Sequence, residues 1–512
     1  MWGGRMRRTL VRGIVCLLVA VAVAAASAAG LARAASTAPA GSPSPSPSTQ
    51  AAVFPLASSD APLLAVAGIP FKFRAEAFPL RELPIEERPG SGRHVTGRVD
   101  HGIHDAEGVR MRVFHGKLYE FPRGQSAYGL ANLNSYRISG DQFYLDRALA
   151  QADRLVSYHT EAGGAWYFPT YPSRSRHGRN GEWIRAPYYS ALSEGRILEF
   201  FARLSEVTGL PKWRDAADHV FGAFLRPGPC SGPYVLDVDA DGYYWLQEWP
   251  WPGMQPDDTF NGHNTSSYGL YEYYVVTHDE RAAALFRGAL TTVKHYLPAI
   301  RRPGWISCYC LLHRDTNANY HGMHIGQLLK LYKMTGTLLF ARAADAFMSD
   351  YPRPRVRGGL RVEPGSYRAF RVDASGAVTG RRTVTVSSEA TWRTSERKRL
   401  WPRSPICIRA DSGPAEGWWL AERPGRVFLL GIAEQLNYAP ARKLAVAGGQ
   451  SPVAVQFDAL GGVTARQRVD SGDGLTLRVD ARAVIDGCAR VRVSAGDLAG
   501  YWIQLRAGVR LI

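Results

Sequence analysis

The chain has 512 residues, 46% of them hydrophobic, and few cysteines, which excludes a small disulfide-stabilised scaffold and leaves room for more than one domain. Its formal net charge of +17 suits an acidic surface or a polyanion. The sequence contains no basic helix and no Lys/Arg run with interleaved aromatic residues, which argues against nucleic acid. Two explanations of the positive charge are left: an acidic polysaccharide partner, or an ordinary solvated surface rich in Arg.

Residues 1–35 have the pattern of a secretory signal. Four arginines precede an apolar run from Gly13 to about Leu31, and the Ala-Arg-Ala at 32–34 offers small residues for cleavage. Because the run approaches the length of a membrane span, an uncleaved N-terminal anchor is the alternative. Residues 36–58 are rich in Ser and Pro and are predicted to be a disordered tether. We therefore expect a secreted or cell-surface protein.

The cysteines beyond the signal are five in number: Cys230, Cys308, Cys310, Cys407 and Cys488. Because the number is odd, at least one thiol is unpaired or forms a disulfide with a second copy of the chain. A homodimer is therefore one of the open alternatives. Cys308 and Cys310 have CxC spacing without a second pair, so the spacing does not predict a zinc site. Buried packing cysteines are the expected interpretation.

The rest of the chain divides into three segments. Short apolar stretches among loops predict a β-containing lead-in over residues 59–120. Residues 121–354 repeat one pattern four times, a helical segment, a short turn and a second helical segment, which predicts an α/α toroid or incomplete α/α barrel. The turns are Ser139-Gly140-Asp141, Thr208-Gly209, Thr277-His278-Asp279 and Thr335-Gly336. Residues 355–512 show short alternating runs, which predict an all-β, sandwich-like C-terminal domain.

Residues 237–251, DVDADGYYWLQEWPW, fit two structures. A calcium loop would place its ligands and its turn at Asp237, Asp239, Asp241, Gly242 and Glu248. A calcium hand needs a helix on either side, whereas β-branched and aromatic residues flank the Asp-Gly pair, and Trp245 would occupy a ligand position. The sequence therefore favours a β-hairpin that carries Glu248, with a structural divalent cation at the aspartates as the alternative.

Two later segments each predict the start of a helix. In residues 259–274, Asn261-Gly262 predicts a turn, and Thr265 or Ser266 predicts the first residue of the helix. In residues 308–328, a helix start is predicted at Tyr320, His321 and His324, with the two histidines adjacent on one face. Histidines at this spacing can bind a metal, but no third ligand is adjacent in the sequence, so no metal site is predicted.

Five segments, in this order, resemble the C-terminal catalytic domain of D-glucuronyl C5-epimerases, which convert glucuronic to iduronic acid in heparan-type polymers. The segments are Tyr188–Arg196, Glu248–Pro250, Asn261–Glu272, Tyr309 and Tyr320–Leu328. The resemblance covers roughly residues 120–352. It implies an α/α barrel, a uronate C5-epimerase acting on a heparan sulfate-like glycosaminoglycan or another acidic polysaccharide, and no required cofactor.

The resemblance also implies roles for individual residues. Glu248 corresponds to the general base, Tyr320 and Tyr309 to tyrosines near the second face of the sugar, and Tyr189 to a third site tyrosine. Substrate-binding roles are expected for Asn261, Trp249, His321, His324, Arg185 and Arg314. Trp249 stands where the family has Tyr, and Leu312 stands where it has a substrate-clamping Arg. Arg185 or Arg314 is therefore the expected replacement for that clamp.

The chemistry explains why these residue types are needed. Removal of the C5 proton beside a carboxylate leaves a carbanion with two negative charges, so the site needs a base of raised pKa and cations or donors at the carboxylate. The aromatic residues around Glu248 in the sequence would raise its pKa by burial, and a tyrosine can return a proton to the opposite face.

Two further functions stay open. The same carbanion can expel the oxygen at C4, as in a polysaccharide lyase. Because one fold can host several functions, an exported glycan-binding protein without activity is the third interpretation. The Ala/Arg/Gly-rich composition and the signal suit a bacterial source, where wall or capsular glycans would be the acidic polymers.

Overall fold

The computed structural model describes residues 61–458 and 461–512. The predicted signal at residues 1–35 and the predicted linker at residues 36–58 therefore lie outside the described residues. Over the ranges that are described, no helix combines the length and the apolar character needed to cross a membrane.

Residues 61–120 form two short antiparallel strand pairs. They are β1 (Leu63–Ala65) with β2 (Lys72–Arg74), and β3 (Met111–Phe114) with β4 (Lys117–Glu120). Phe73 of β2 is fully buried in the same apolar core as the helices. The buried backbone N–H of Leu83 donates a hydrogen bond to the hydroxyl of the helical residue Tyr271 at 3.1 Å. The segment is thus packed onto the helical region that follows.

Four helical hairpins follow this segment. They are α1 (Pro122–Ser139) with α2 (Gln142–Tyr158), α3 (Ala191–Thr208) with α4 (Pro211–Gly222), α5 (Phe260–Thr277) with α6 (Glu280–Ile300), and α7 (Ala318–Thr335) with α8 (Leu338–Asp350). Gly140, Gly209 and Gly336 end three of the first helices in the left-handed conformation, which glycine adopts without steric cost. Asp141 and Asp279 cap the following helices through their side chains. The four predicted turns are confirmed.

The first helices of the hairpins, α1, α3, α5 and α7, lie side by side in that order. Helices α3 and α5 approach most closely, because a Cβ atom added to Gly269 would lie 2.2 Å from the carbonyl oxygen of Gly195. A larger residue at Gly269 would push the two helices apart. Residues from all four helices line one cavity. The helical architecture is thus confirmed, and closure into a toroid stays a prediction.

Short strand pairs occupy the connections between hairpins. They are β5 (Thr160–Ala162) with β6 (Ala165–Tyr167), β7 (Arg174–Ser175) with β8 (Trp183–Ile184), and β9 (Leu236–Val238) with β10 (Tyr244–Leu246). The last pair is the predicted hairpin, in which Asp239 Oδ1 accepts hydrogen bonds from the backbone N–H groups of Asp241 and Tyr243. Asp239 thus closes the turn between two paired strands, whereas a calcium hand would have a helix on either side of the loop. The predicted hairpin is confirmed.

The C-terminal region holds two seven-stranded antiparallel sheets. The first contains β11 (Arg355–Val362), β12 (Gly365–Val372), β13 (Val378–Val386), β14 (Ala390–Arg399), β15 (Ile406–Arg409), β16 (Trp419–Ala421) and β17 (Val427–Leu429), in the order β13-β12-β16-β15-β14-β11-β17. The second contains β18 (Ile432–Ala447), β19 (Val453–Phe457), β20 (Val463–Arg468), β21 (Gly474–Ile485), β22 (Cys488–Val493), β23 (Trp502–Gln504) and β24 (Val509–Leu511), in the order β20-β19-β23-β22-β21-β18-β24. The predicted β-rich C-terminal region is confirmed.

The two sheets bury separate apolar clusters, one around Leu360 and Leu420 and the other around Val446 and Val491. A face-to-face sandwich with one shared core therefore stays a prediction. The second sheet is tied to the helices, since Arg442 and Arg482 both form ion pairs with Asp345 of α8. All five described cysteines are free thiols, and three of them are buried, as expected of packing cysteines.

Candidate active site

The carboxylate of Glu248 lies directly after β10 and against the first turn of α5. Glu248 is only 5% exposed to solvent. A Cβ atom added to Gly262 would lie 2.7 Å from Glu248 Oε2, so only glycine allows this approach. Helix α5 begins at Phe260, and the predicted start at Thr265 or Ser266 is wrong. The Asn261-Gly262 pair is part of the helix, because its glycine serves the contact with Glu248 and not a turn.

Two cavities meet at Glu248. The larger has a volume of about 890 Å³ and is lined by the first helices of all four hairpins. The smaller has a volume of about 190 Å³ and is lined by the connections around Thr170 and Trp249. Five residues line both cavities: Phe121, Arg123, Leu192, Glu248 and Tyr320. Glu248 therefore lies at the boundary between the two cavities.

Two predicted tyrosines accompany the glutamate. The Tyr309 hydroxyl donates a hydrogen bond to Glu248 Oε2 at 3.0 Å. The Tyr320 ring lies 4.5 Å from the Tyr309 ring, and its hydroxyl has no hydrogen-bond partner among residues 61–458 and 461–512. Burial, reinforced by the negative charge of Glu248, raises the pKa of Tyr309 above its ordinary value. The structure thus brings Glu248, Tyr309 and Tyr320 together as predicted.

The pKa of Glu248 is raised from its ordinary value. The main cause is burial, which disfavours the charged carboxylate, and the charge of nearby Asp257 acts in the same direction. The hydrogen bond from Tyr309 and the positive charge of Arg123 have the opposite effect and lower the pKa, but the effect of burial is larger. A carboxylate of this kind can accept a proton from carbon more readily than an exposed one.

Arg123 is a site residue that the sequence did not reveal. It lies in the first turn of α1, lines both cavities, and forms no ion pair with any described residue. The only sequence signal nearby is Pro122, because proline is common at the first position of a helix. Nothing in the pattern predicts that its neighbour Arg123 lines a cavity. Further cations line the space: Arg112 and Arg174 in the smaller cavity, and Arg110, Arg196 and Lys330 in the larger.

The aromatic wall of the smaller cavity is formed by Trp249 and Tyr188. The Arg174 guanidinium lies 4.3 Å from the Trp249 ring centroid, so Trp249 lies at the cavity as expected. Tyr189, the predicted third site tyrosine, does not line either cavity and packs instead against Tyr167, with ring centroids 5.8 Å apart. The reason is that successive residues of an extended segment point to opposite sides, so Tyr188 faces the cavity.

Two side-chain amides face the larger cavity. Asn261, a predicted substrate-binding residue, lines it, and its Oδ1 atom is buried without a hydrogen-bond partner in the described part of the chain. The same holds for Oε1 of Gln327, which the sequence did not single out. The Gln327 amide donates to the backbone carbonyl oxygen of Asn261 at 2.8 Å, which orients the Gln327 side chain. Each side-chain oxygen is therefore an acceptor whose capacity no described donor uses.

Four predicted substrate-binding residues do not reach the cavities. His321 and His324 are buried in the core, where both Nδ1 atoms lie 2.9 Å from Ser307 Oγ. The Nε2 atom of His321 lies 2.9 Å from the carbonyl oxygen of Phe347 in α8, and burial lowers the pKa of His324 to about 3. Arg185 is exposed at the surface, and Arg314 donates to the carbonyl oxygen of Ala299 at 3.2 Å. The substrate clamp predicted at Arg185 or Arg314 is therefore absent from the cavities described here.

A cluster behind Tyr309 contains groups that can ligate a metal. His177 Nε2 lies 2.5 Å from Asp257 Oδ2, and the His177 ring lies 5.0 Å from that of Tyr309. Potential ligand atoms of His177, Cys310 and His313 lie within 4.8 Å of one another. This is the one such group found within the described ranges, and it was not predicted because His177 is distant in sequence from the other two.

Residues 162–349, just over a third of the chain, contain Glu248, Tyr309 and Tyr320. They match the family model of the D-glucuronyl C5-epimerase C-terminus. The resemblance predicted from the sequence is confirmed over this epimerase-like segment. The match supports a carbohydrate epimerase. No curated protein sequence matches the chain significantly.

Solved structures resemble part of the chain at low similarity. An unsaturated glucuronyl hydrolase from Streptococcus agalactiae has 16% identity, covering 44% of this chain and 58% of the hydrolase, with a TM-score of 0.32. A family 76 α-mannanase from Bacteroides thetaiotaomicron has 13% identity, 56% and 66% coverage and a TM-score of 0.33. A cellobiose 2-epimerase from Bacillus thermoamylovorans has 14% identity, 44% and 58% coverage and a TM-score of 0.35. Each alignment spans less than two thirds of the solved structure, and these TM-scores are too low to support an inference about activity.

Proposed function

We propose that this protein is an epimerase that inverts C5 of uronic acid residues in an acidic polysaccharide. The observation that carries the proposal is the buried carboxylate of Glu248, with its raised pKa, its hydrogen bond from Tyr309 and its place in a cavity lined by arginines. The match of the surrounding segment to the epimerase family supports it. The predicted export would place the protein among extracellular acidic glycans.

The reaction begins with Glu248 as the base. Its carboxylate takes the proton from C5, and the electrons of the C5–H bond move into the sugar carboxylate, which then carries two negative charges. Arg123 lies near Glu248, lines both cavities and forms no ion pair with any described residue, so it is the cation best placed to bind that carboxylate. Preorganised positive charge of this kind stabilises the anion as it develops.

Inversion requires a proton from the opposite face of the sugar, and Tyr320 is the better candidate donor. The Tyr309 hydroxyl already donates to Glu248 and therefore lies on the side of the base. Tyr320 lines both cavities, and its hydroxyl has no hydrogen-bond partner among the described residues. Protonation at C5 leaves a tyrosinate and a protonated Glu248, and solvent returns both groups to their starting states.

The test is a proton NMR experiment in heavy water with the purified protein and unsulfated glucuronate-containing polymers. Deuterium at C5 together with new iduronate signals is the expected result. A vinylic C4 proton would show that the carbanion eliminates, so the protein would be a lyase that uses the same base. Binding without either signal would contradict catalysis and favour a glycan-binding role.

Replacement of Tyr309 by Phe is expected to shift the acid limb of the pH–rate profile to higher pH. The base is active only when deprotonated, so activity falls as pH drops through the pKa of Glu248. Loss of the Tyr309 hydrogen bond removes an interaction that favours the carboxylate, so this pKa rises further. The profile is measured by deuterium incorporation at C5, with Tyr501→Phe, far along the chain in the C-terminal region, as the control. An unshifted acid limb would contradict the assignment.

Replacement of Arg123 by Gln is expected to lower kcat/KM by roughly 10- to 100-fold, the usual cost of one charge-assisted hydrogen bond. The loss should appear in kcat as well as KM, because the charge on the sugar carboxylate grows in the transition state. Arg185→Gln is the matched control, since Arg185 is exposed and outside both cavities. Equal effects of the two substitutions would show that Arg123 does not bind the reacting sugar.

A further inference from the structure

The positive charge of the chain is concentrated in its C-terminal region. Residues 355–512 contain 25 Arg and Lys against 14 Asp and Glu, and so carry +11 of the formal charge of +17. Residues 1–35 contain five arginines and no acid, which leaves +1 for residues 36–354. The segment that contains Glu248 is therefore nearly neutral, and the attraction to polyanions resides mainly in the two sheets.

One face of the second sheet has a concave site, which we call the arginine hollow. It has a volume of about 360 Å³ and lies across β20, β19, β23 and β22. Its polar lining consists of Arg466, Arg490, Arg506, Gln504 and Asp486, and its apolar lining of Phe457, Val453, Val455, Val463 and Pro452. Three guanidinium groups thus share one hollow with a single carboxylate.

The sheet register explains why these side chains converge. Arg466 pairs directly with Val455 across β20 and β19, and Arg490 pairs with Gln504 across β22 and β23. Directly paired residues of antiparallel strands project from the same face. The Arg490 guanidinium lies 5.4 Å from the Phe457 ring centroid, so an aromatic surface borders the cations.

The arginines of the hollow have no ion-pair or hydrogen-bond partner in the described part of the chain. None of Arg466, Arg490 and Arg506 forms an ion pair or a side-chain hydrogen bond with residues 61–458 and 461–512, and Arg490 Nε is buried without a partner. The neighbouring Arg492 differs, since Asp480 accepts two hydrogen bonds from it at 2.8 and 3.0 Å. Burial lowers the pKa of Arg490, and the charge of Arg466 also lowers it, against the opposing effects of Cys488 and Asp486. Adjacent unpaired cations repel, and a bound anion would relieve that repulsion.

We propose that the arginine hollow is a second saccharide-binding site, separate from the cavity at Glu248, that takes an acidic sugar residue of a polysaccharide. The guanidinium groups would bind its carboxylate or sulfate, and Gln504 would bind a hydroxyl group. Phe457 and the valines would cover the apolar face of the sugar ring. The hollow is large enough for about one or two sugar rings, and its apolar lining favours a sugar over a bare inorganic anion.

Calorimetric titration of the full-length protein with an unsulfated glucuronate-containing hexasaccharide tests this site. Glu248→Gln is included in every sample to prevent turnover. Two classes of site are expected, and combining Arg466→Gln with Arg490→Gln should weaken one class at least tenfold while leaving the other unchanged. Arg510→Gln, which removes an exposed arginine at the opposite edge of the same sheet, should change neither class.

Further ligands separate the sources of binding. A hexasaccharide whose carboxylates are reduced to alcohols should not bind at the hollow when Arg466 and Arg490 are both retained. This result does not depend on the folding of the arginine variants. A single class of site, or two classes unaffected by the arginine substitutions, would overturn the proposal. Inorganic sulfate that competes as strongly as the sugar, or substitutions that abolish binding to anionic phospholipid vesicles but not to the sugar, would also overturn it. Activity in heavy water with loss of only this site would leave the proposed epimerase function intact.

Discussion

Glu248→Gln is expected to abolish proton exchange at C5 while polysaccharide binding persists. The amide cannot accept the C5 proton, and removal of a positioned general base typically costs about 10²- to 10⁴-fold in rate. Its oxygen can still accept the hydrogen bond from Tyr309, so the cavity should keep its shape. Deuterium incorporation at C5 measures the loss, and calorimetric titration measures binding. A variant that exchanges protons at the wild-type rate would refute Glu248 as the base.

The same substitution is expected to stabilise the fold at neutral pH. Burial raises the pKa of Glu248 above its value in the unfolded chain, so the folded state holds the proton more tightly. Stability therefore falls as pH rises from the unfolded pKa through the folded pKa, and Gln removes this loss. The thermal midpoint of the variant should exceed that of the wild type at pH 8 by more than at pH 4.

Glu194→Gln is the matched control for Glu248→Gln. Glu194 is fully buried, and burial raises its pKa to about 8. It accepts a hydrogen bond from the backbone N–H of Phe168 at 3.1 Å and lines neither cavity at Glu248. The control should gain stability at high pH in the same way but keep its proton-exchange activity. Loss of activity in both variants would indicate a general effect of altered packing.

Glu272→Gln is expected to have the largest effect on stability. Glu272 is fully buried in α5 and accepts hydrogen bonds from the equally buried Arg203 of α3 at 2.9 and 2.6 Å. Arg88 of the lead-in donates to the same carboxylate at 3.0 Å. Removal of the negative charge leaves the buried Arg203 with Glu199, 3.8 Å away, as its remaining ion-pair partner, while Arg88 keeps its hydrogen bonds to Glu206. We therefore expect a cost at the lower end for a broken buried pair, about 3 kcal/mol. The thermal midpoint for loss of helical circular dichroism should fall by roughly 5 °C.

An exposed ion pair provides the comparison for this effect. Lys212 and Asp153 lie 3.1 Å apart with side chains 58% and 61% exposed. Because solvent screens such a pair, Asp153→Asn should change the free energy of unfolding by no more than about 0.5 kcal/mol. Similar shifts for the two substitutions would show that the network of Arg88, Arg203 and Glu272 does not connect the lead-in, α3 and α5 as the structure indicates.

The sequence by itself determined the elements whose signals are local. Gly140, Gly209 and Gly336 marked helix ends correctly, because left-handed backbone at a helix terminus strongly favours glycine. The flanking strand residues and Trp245 correctly favoured a hairpin around Asp239 over a calcium loop. The family resemblance likewise identified Glu248, Tyr309 and Tyr320, which the structure brings together.

Only the tertiary structure decided which neighbouring side chain faces the cavity and which cation is free to act. Tyr188 and Tyr189 are equivalent in a local pattern, and their separation depends on how one extended segment packs. His321 and His324 bind Ser307 in the core, while Arg123, which no motif marked, lies beside Glu248. Local propensities fix backbone conformation over a few residues, whereas side-chain burial and charge pairing depend on segments far apart in the sequence. The site is therefore a property of the packed helices and not of any one motif.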